Sequence, residues 1–228
     1  MNNIAIYDFC QTLVDFESGD AFIHYIRNKE SSPYMLRMEK LRKAMIRTKI
    51  MSVIEGMLKL IHKNGSLNKS LVLLELKGMN RDKIEAYAES YYENVIKRHF
   101  ITAVLTLMKD QQKQHYHIVV VSASYDPFLR LFAREYKIDH LITNEYLYDK
   151  KEKFTGRLCR KDCIGENKVR RFREKYPDFD VNSYEDSVSY GDSRSDLAIL
   201  KLTRRGVVIS RGKSKEWASA NGLEEFIW

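Results

Sequence analysis

The sequence has few of the residues that mark disulfide-rich, low-complexity or membrane proteins. Its 228 residues include three cysteines, three prolines and ten glycines, and an odd number of cysteines does not suggest a disulfide framework. No stretch approaches the roughly 18 to 20 consecutive apolar residues of a membrane span. With 44% apolar residues, the composition instead predicts an ordered globular protein, long enough for a core and an accessory domain.

The first residues also lack the charged and apolar regions of a signal peptide. Met1, Asn2 and Asn3 lead directly into an apolar segment, whereas a secretory signal begins with a basic region and a longer apolar one. We therefore expect a cytoplasmic protein without a membrane partner.

Positive charge is in excess and is unevenly distributed. The formal net charge is +8, from 39 basic and 31 acidic residues. The basic residues of one segment are Lys150, Lys151, Lys153, Arg157, Arg160, Lys161, Lys168, Arg170, Arg171, Arg173 and Lys175. Such a segment is usually a solvated face, but it can also attract an anionic substrate or nucleic acid. Since no nucleic-acid-binding motif is present, we expect a small anionic ligand and no nucleic acid.

Two apolar segments and a third, weaker strand pattern end in short polar residues, as buried parallel strands do at a ligand-binding edge. Residues 4–7 precede Asp8, residues 118–121 precede Ser122, and residues 187–190 precede Gly191 and Asp192. Taken alone, Asp8 could equally be the N-cap or turn residue that begins the next element. Together with Lys168, near the start of a basic helix, these segments instead predict one crevice at the carboxyl edge of a sheet.

The order of the elements predicts the fold class. From residue 118 onward, strand and helix patterns alternate, with a weak hairpin over 146–158, which is typical of a mostly parallel, doubly wound sheet with right-handed crossovers. Between the first two strands we find helical periodicity and no convincing strand. Helices are predicted after an N-cap at Asp20, over 35–45, over 50–61 before Asn64 and Gly65, over 71–76, after Asn80, and over 100–114. Tyr87, Tyr91 and Tyr92 are expected to pack in the core of this segment.

The segments around Asp8, Ser122, Lys168 and Asp192 resemble the four motifs of the haloacid dehalogenase superfamily, in its phosphoserine-phosphatase-like subclass. The resemblance extends over essentially the whole chain, and residues 165–168 and 191–196 are close matches. It implies an α/β, Rossmann-like core formed by residues 1–16 and 112–228, and a helical cap formed by residues 17–111. It also implies a Mg²⁺-dependent phosphatase that acts on a small phosphorylated metabolite.

The resemblance further assigns a role to each motif, in keeping with what phosphoryl transfer requires. Asp8 is implied as the nucleophile that forms an aspartyl-phosphate. Mg²⁺ would be bound by Asp8, the backbone carbonyl of Cys10 and Asp192. Phosphate would be bound by Ser122, the amide of Ala123 and Lys168, and Thr12 would position the phosphate or the loop. Ser124 is the competitor of Ser122 or, alternatively, a helix cap. Asp196 would orient a water molecule or Lys168 rather than bind the metal.

Cys10 departs from the family pattern. In typical phosphatases of this family, the residue two after the nucleophile is a second aspartate, which protonates the departing alcohol and then activates water. A thiol with a reference pKa near 8.5 replaces it poorly as a base. Three hypotheses follow: a slower phosphatase, an enzyme that needs a good leaving group or a second phosphoryl acceptor, and a phospho-ligand-binding protein without turnover. The presence of Asp8, Lys168 and both later acids favours an enzyme.

The sequence does not determine the substrate. Resemblance within the subclass suggests phosphoamino acids, phosphorylated amino alcohols or sugar phosphates, including those of surface-polysaccharide synthesis. A large helical segment favours a small metabolite over a phosphoprotein, and the basic excess is consistent with additional negative charge on it.

Overall fold

A six-stranded parallel sheet forms the centre of the computed structural model, which describes residues 3–30, 32–50 and 67–228. The sheet order is β3-β2-β1-β6-β7-β8. The strands are β1 (Asn3–Tyr7), β2 (Tyr116–Tyr125), β3 (His140–Asn144), β6 (Ser187–Gly191), β7 (Arg205–Ser210) and β8 (Glu224–Ile227), and a separate antiparallel hairpin is formed by β4 (Tyr146–Tyr148) and β5 (Phe154–Leu158). The hairpin was predicted from the sequence, whereas β8 was not.

Both faces of the sheet are covered, which explains the apolar runs at residues 4–7 of β1 and 118–121 of β2. On β1, Ala5 and Tyr7 belong to one hydrophobic cluster, and Ile4 and Ile6 belong to a second cluster on the opposite face. Helices contribute to both clusters: α6 (Asp126–Glu135) to the first and α7 (Glu166–Lys175) to the second. The predicted α/β, doubly wound fold is confirmed.

The strand order places a crevice beside β1. From β1 the chain builds outward through β2 and β3 on one side, and then returns to add β6, β7 and β8 on the other. Ligands of open α/β sheets bind at the carboxyl ends of the strands where the order reverses in this way. Here the reversal lies between β1 and β6, so we expect the site at the carboxyl ends of these two strands.

Between β1 and β2, the described residues are helical, as predicted. The helices are α1 (Ser18–Glu30), α2 (Pro33–Arg47), α3 (Leu67–Glu75), α4 (Arg81–Asn94), a 3-10 turn (Ile96–Arg98) and α5 (Thr102–Lys113). Helix α1 begins two residues before Asp20, which therefore lies in its first turn and is not the N-cap. Most of the helix predicted over 50–61, together with Asn64 and Gly65, lies outside the described residues. The division into core and cap remains a prediction, and α5 spans its proposed boundary at residue 111.

Short helices also follow two of the later strands. After β6 come a 3-10 turn (Arg194–Asp196) and α8 (Leu197–Leu200), and after β7 comes α9 (Glu216–Ser219). None of the helices in the described ranges is long and apolar enough to cross a membrane.

Two of the three tyrosines of α4 pack in the core, as their spacing predicted, whereas Tyr87 is only partly buried. Tyr91 and Tyr92 are buried, and the Tyr91 ring lies 5.2 Å from Phe22 and 5.3 Å from Phe128. The Tyr91 hydroxyl donates a hydrogen bond to the Ser18 carbonyl at 2.9 Å. Such aromatic packing joins α1 and α4 to α6, so the helical segment and the sheet share one hydrophobic cluster.

A buried carboxylate holds three helices of this segment together. Glu75 of α3 is 1% exposed. Its carboxylate accepts hydrogen bonds from Arg27 of α1 at 2.7 Å and from Arg42 of α2 at 3.1 Å. Buried charges are tolerated in proteins when they are paired and hydrogen-bonded in this way.

Replacing Glu75 with alanine is expected to lower the free energy of unfolding by about 3–5 kcal/mol, because two arginines lose their buried partner. Urea denaturation followed by far-UV circular dichroism measures the loss. Glu93→Ala is the control, since Glu93 forms an exposed ion pair with Lys97 and such pairs contribute about 0–1 kcal/mol. Equal effects of the two substitutions would contradict the stabilising role of Glu75.

Candidate active site

Two acids flank the point where the strand order reverses. Asp8 directly follows β1 and Asp192 directly follows β6. The two strands are parallel neighbours with Tyr7 opposite Tyr190, and the Asp8 backbone N–H donates to the Tyr190 carbonyl at 2.9 Å. The sheet register therefore brings together two carboxylates that are far apart in the sequence.

Lys168 joins this edge from the first turn of α7. Its ammonium nitrogen lies 2.6 Å from Asp8 Oδ1 and 2.6 Å from Asp196 Oδ1, and all three side chains are buried. Burial by itself would lower the pKa of Lys168, but the carboxylates of Asp8 and Asp196 raise it well above its ordinary value. Lys168 is therefore a permanent cation beside Asp8.

Asp196 is held by the loop that follows β6. Its Oδ2 accepts hydrogen bonds from the Ser193 backbone N–H at 3.1 Å and from the Ser193 hydroxyl at 2.9 Å. Gly191 permits this arrangement, because a Cβ at that position would lie 2.7 Å from the Asp196 Cβ. Since Lys168 and Ser193 engage both oxygens of Asp196, its carboxylate has a positioning role in the loop.

The three acids form a compact donor set. One carboxylate oxygen each from Asp8, Asp192 and Asp196 lies within 4.8 Å of the other two. Burial raises the pKa of Asp8 to about 7, with Lys168 opposing this shift and Asp196 adding to it. Burial, followed by the charge of Asp196, raises the pKa of Asp192 to about 6. Crowded, desolvated carboxylates of this kind are disfavoured as anions unless a cation compensates them.

The chemistry of this donor set fits Mg²⁺. Lys168 contacts one oxygen of Asp8, and the other oxygen has no hydrogen-bond partner among the described residues. Within the same ranges, the Asp192 carboxylate has no hydrogen bond or ion pair, while its backbone carbonyl accepts one from Lys215. Mg²⁺ prefers oxygen ligands, binds through one or two carboxylates and retains several waters. Asp8 and Asp192 are therefore better placed to bind it than Asp196.

The predicted phosphate-binding residues lie at the end of β2. This strand extends to Tyr125, and its register with β3 is irregular between Val121 and Tyr125. Ser122 is buried, lines the cavity and accepts a hydrogen bond from the Ser124 N–H at 3.1 Å. The Ser124 hydroxyl instead lies 2.9 Å from the Ser18 hydroxyl. Ser124 is not the cap of α6, because the residue at that position is Tyr125.

Cys10 lines the same cavity, but its sulfur is engaged by α1. The thiol sulfur lies 3.1 Å from the Ser18 hydroxyl and 3.4 Å from the Ser18 backbone nitrogen, which donates to it. Burial, followed by the negative charges of Asp8 and Glu17, raises the pKa of Cys10 to about 12. The thiol is therefore protonated at neutral pH and cannot act as a base there.

Thr12 does not line the cavity, contrary to its expected contact with phosphate. The chain turns at Gln11, which has a φ of 51°, and the Thr12 N–H donates to the Phe9 carbonyl at 3.3 Å. This turn directs Thr12 into the interior, where it is fully buried and its hydroxyl has no partner in the described part of the chain. Its side chain therefore lies away from the cavity, which fits a role in positioning the loop better than a contact with phosphate.

The cavity has a volume of about 330 Å³ and contains residues that sequence reasoning missed. Among them are Glu17, Asp20, Asn68, Lys69, Tyr125, Asp162 and Ile164. Lys69 of α3 reaches across to the sheet, where its ammonium donates to the Ala123 carbonyl and to Asp162 Oδ1, both at 2.7 Å. Glu17 and Asp20 could have been noted as acids just after the first motif, but no pattern marks Lys69.

The fold and the paired acids at the strand reversal define a doubly wound α/β protein with an active site at the carboxyl edge of its sheet. The model of the haloacid dehalogenase-like hydrolase family matches residues 5–201. The chain belongs to this family, as the resemblance predicted, and membership agrees with the predicted hydrolase class. No curated protein matches the sequence.

Solved structures share the fold over nearly the whole chain. A protein of unknown function from Bordetella pertussis Tohama I has 18% identity and a TM-score of 0.76, with 99% of this chain and 98% of that one covered. A phosphoserine phosphohydrolase-like protein from Francisella tularensis has 14% identity and a TM-score of 0.59, with coverage of 99% and 94%. Phosphoserine phosphatase from T. onnurineus has 17% identity and a TM-score of 0.54, with coverage of 100% and 90%. At these identities the likeness shows a common fold.

Proposed function

We propose that this protein is a Mg²⁺-dependent phosphatase that hydrolyses a small phosphomonoester metabolite through an aspartyl-phosphate on Asp8. The observation that carries the proposal is the buried contact of Lys168 with both Asp8 and Asp196, next to Asp192 and inside one cavity. An in-line nucleophile, a cation and oxygen donors for a metal are what phosphoryl transfer requires.

Each residue then has a defined task. The Asp8 oxygen that Lys168 contacts attacks phosphorus, the bond to the departing alcohol breaks, and the other Asp8 oxygen remains available to a metal. Lys168 neutralises the phosphoryl oxygens and fixes the orientation of Asp8, while Ser122 and the N–H of Ala123 donate hydrogen bonds to those oxygens. Mg²⁺, bound by Asp8, Asp192 and the Cys10 carbonyl, would let the anionic carboxylate approach the anionic phosphate. Asp196 holds Lys168 in position.

Cys10 supports a second candidate function. Because the raised pKa of its thiol makes Cys10 a poor proton donor and leaves no base at neutral pH, water or a substrate group would carry the proton to the departing alcohol. Transfer of the phosphoryl group to a second acceptor, or a preference for good leaving groups, would also be compatible with a missing base. A binding protein without turnover is the third candidate, but such a protein has little need for Asp8 as an in-line nucleophile.

The cavity supports a small substrate with charged groups on its alcohol part. Glu17 and Asp20 contribute carboxylates, and Lys69 contributes an ammonium group. The proteins of similar fold include phosphoserine phosphatases. Phosphoamino alcohols and sugar phosphates, including those of surface-polysaccharide synthesis, are therefore the substrates to test first, and the predicted cytoplasmic location suits them.

Metal removal tests the proposal. Wild-type protein with Mg²⁺ is expected to release inorganic phosphate from at least one member of a phosphomonoester panel. EDTA is expected to reduce the rate at least about 100-fold, because the carboxylates then repel the phosphate. Mg²⁺ added in excess of the chelator should restore the rate. Phosphate release that is insensitive to EDTA would contradict the metal-dependent mechanism.

A further inference from the structure

A second cavity adjoins the active-site cavity. It has a volume of about 360 Å³, and the residues that line both cavities are Lys69 and Asp162. It lies between α3 and the segment of chain that includes the end of β5 and the loop after it. Its apolar side is formed by Leu73, Leu74 and Leu158, and its basic side by Arg157, Arg160 and Lys161. We call this cavity the basic groove.

The two cavities meet at the Lys69–Asp162 ion pair, close to the phosphate-binding end of β2. The Lys69 ammonium contacts Asp162 in the shared wall and the Ala123 carbonyl next to Ser122. The Lys69 and Asp162 side chains are 19% and 16% exposed. Because this pair is partly exposed and lines both cavities, a ligand with its phosphate at Asp8 can extend its alcohol part over the pair into the groove.

The backbone at Gly156 brings α3 close to β5. Gly156 has a φ of +79°, and a Cβ there would lie 2.8 Å from Leu74 Cδ2. Leu74 and Gly156 both line the groove. Their close packing therefore places the apolar side chains of α3 next to the basic residues that follow Gly156. The groove is thus formed by packed elements of the fold and not by loose surface side chains.

The positive charge of the groove is only partly compensated. Arg160 forms an ion pair with Glu174. Arg157 and Lys161, both exposed, form no ion pair within the ranges that the structure describes. Solvation alone can account for exposed cations, but here they lie on one side of a concave site beside an anion-binding centre, where they attract a second anionic group.

We propose that the basic groove binds the alcohol part of the substrate, which is elongated, apolar along its stem and ends in a second anionic group such as a phosphate or a carboxylate. This inference rests on the proposed function, since it takes the first phosphate to lie at Asp8. The stem lies along Leu73, Leu74 and Leu158, and the second anion pairs with Arg157 and Lys161.

The test uses linear alkane bisphosphonates with spacers of two to eight carbons, together with the matching alkyl monophosphonates. These probes are not hydrolysed, so the wild-type protein can be titrated with them in Mg²⁺ by calorimetry at constant ionic strength. Beyond a threshold spacer length, each bisphosphonate is expected to bind roughly tenfold more tightly than its monophosphonate, as two partly screened ion pairs would provide. The double variant Arg157→Ala/Lys161→Ala should abolish this preference.

The matched control is Lys150→Ala/Lys151→Ala, which removes the same charge from exposed residues of the β4–β5 hairpin outside the groove. It should keep the preference. The proposal is overturned if the wild-type protein binds both probes equally or binds neither. It is also overturned if the preference survives the groove substitutions, or if the control variant loses the preference to the same extent. Phosphate release from compact monoesters tests the proposed function separately: release without a bisphosphonate preference refutes only the groove, and a groove-dependent preference without release refutes only the phosphatase.

Discussion

Asp8→Asn is expected to reduce phosphate release by a factor of at least about 10⁴, since loss of a covalent nucleophile removes the whole reaction path. The amide has the size of the carboxylate but cannot form the aspartyl-phosphate. Lys168 keeps its contact with Asp196 at 2.6 Å, so the buried ammonium stays paired and the protein should fold. Inorganic phosphate release is measured for both proteins with Mg²⁺, and thermal melting verifies folding.

Asp15→Asn is the matched control for this substitution. Asp15 lies in the chain segment between β1 and α1, outside the active-site cavity, and its Oδ1 lies 2.8 Å from His99 Nδ1. This variant should keep wild-type activity. If wild-type protein and Asp8→Asn are equally inert while a phosphorylated ligand raises the melting temperature of both, the protein is a binding protein and not a phosphatase.

The parts of the fold that the sequence predicted depend on local patterns. The strand before Asp8 is apolar on both faces because both faces are buried, and the change to polar residues marks its carboxyl end. Helical spacing in the segment after Asn80 also predicted the burial of Tyr91 and Tyr92. Strand β8 was missed because it lies at the edge of the sheet and contains Glu224 and Glu225, so it has no apolar run.

The parts that the sequence could not predict depend on tertiary packing. Lys69 reaches the cavity because α3 packs against β5, and neither periodicity nor spacing encodes that contact. Thr12 was assigned to phosphate from its position in a motif, but the left-handed backbone at Gln11 turns its side chain inward. The acids were easier to predict, because parallel strands align their carboxyl ends wherever the register falls.

Cys10→Asp is expected to raise the rate of phosphate release by about 10² to 10⁴, the usual contribution of a general acid and base. A carboxylate at this position would accept hydrogen bonds from the Ser18 N–H and hydroxyl, which now contact the thiol. It would face the cavity and could pass a proton to the departing alcohol. The rate is measured as kcat with an alkyl phosphate and with an aryl phosphate.

The two leaving groups and a control substitution separate proton transfer from a change of shape. An aryl oxide leaves without protonation, so the gain should be larger for the alkyl phosphate. Cys10→Asn has nearly the same shape as Cys10→Asp but cannot exchange a proton, and it should give no gain. An unchanged rate in Cys10→Asp, or the same gain in Cys10→Asn, would show that the missing acid does not limit this enzyme. The proton would then already be carried by water or by the substrate, so the enzyme would not need an acid at position 10.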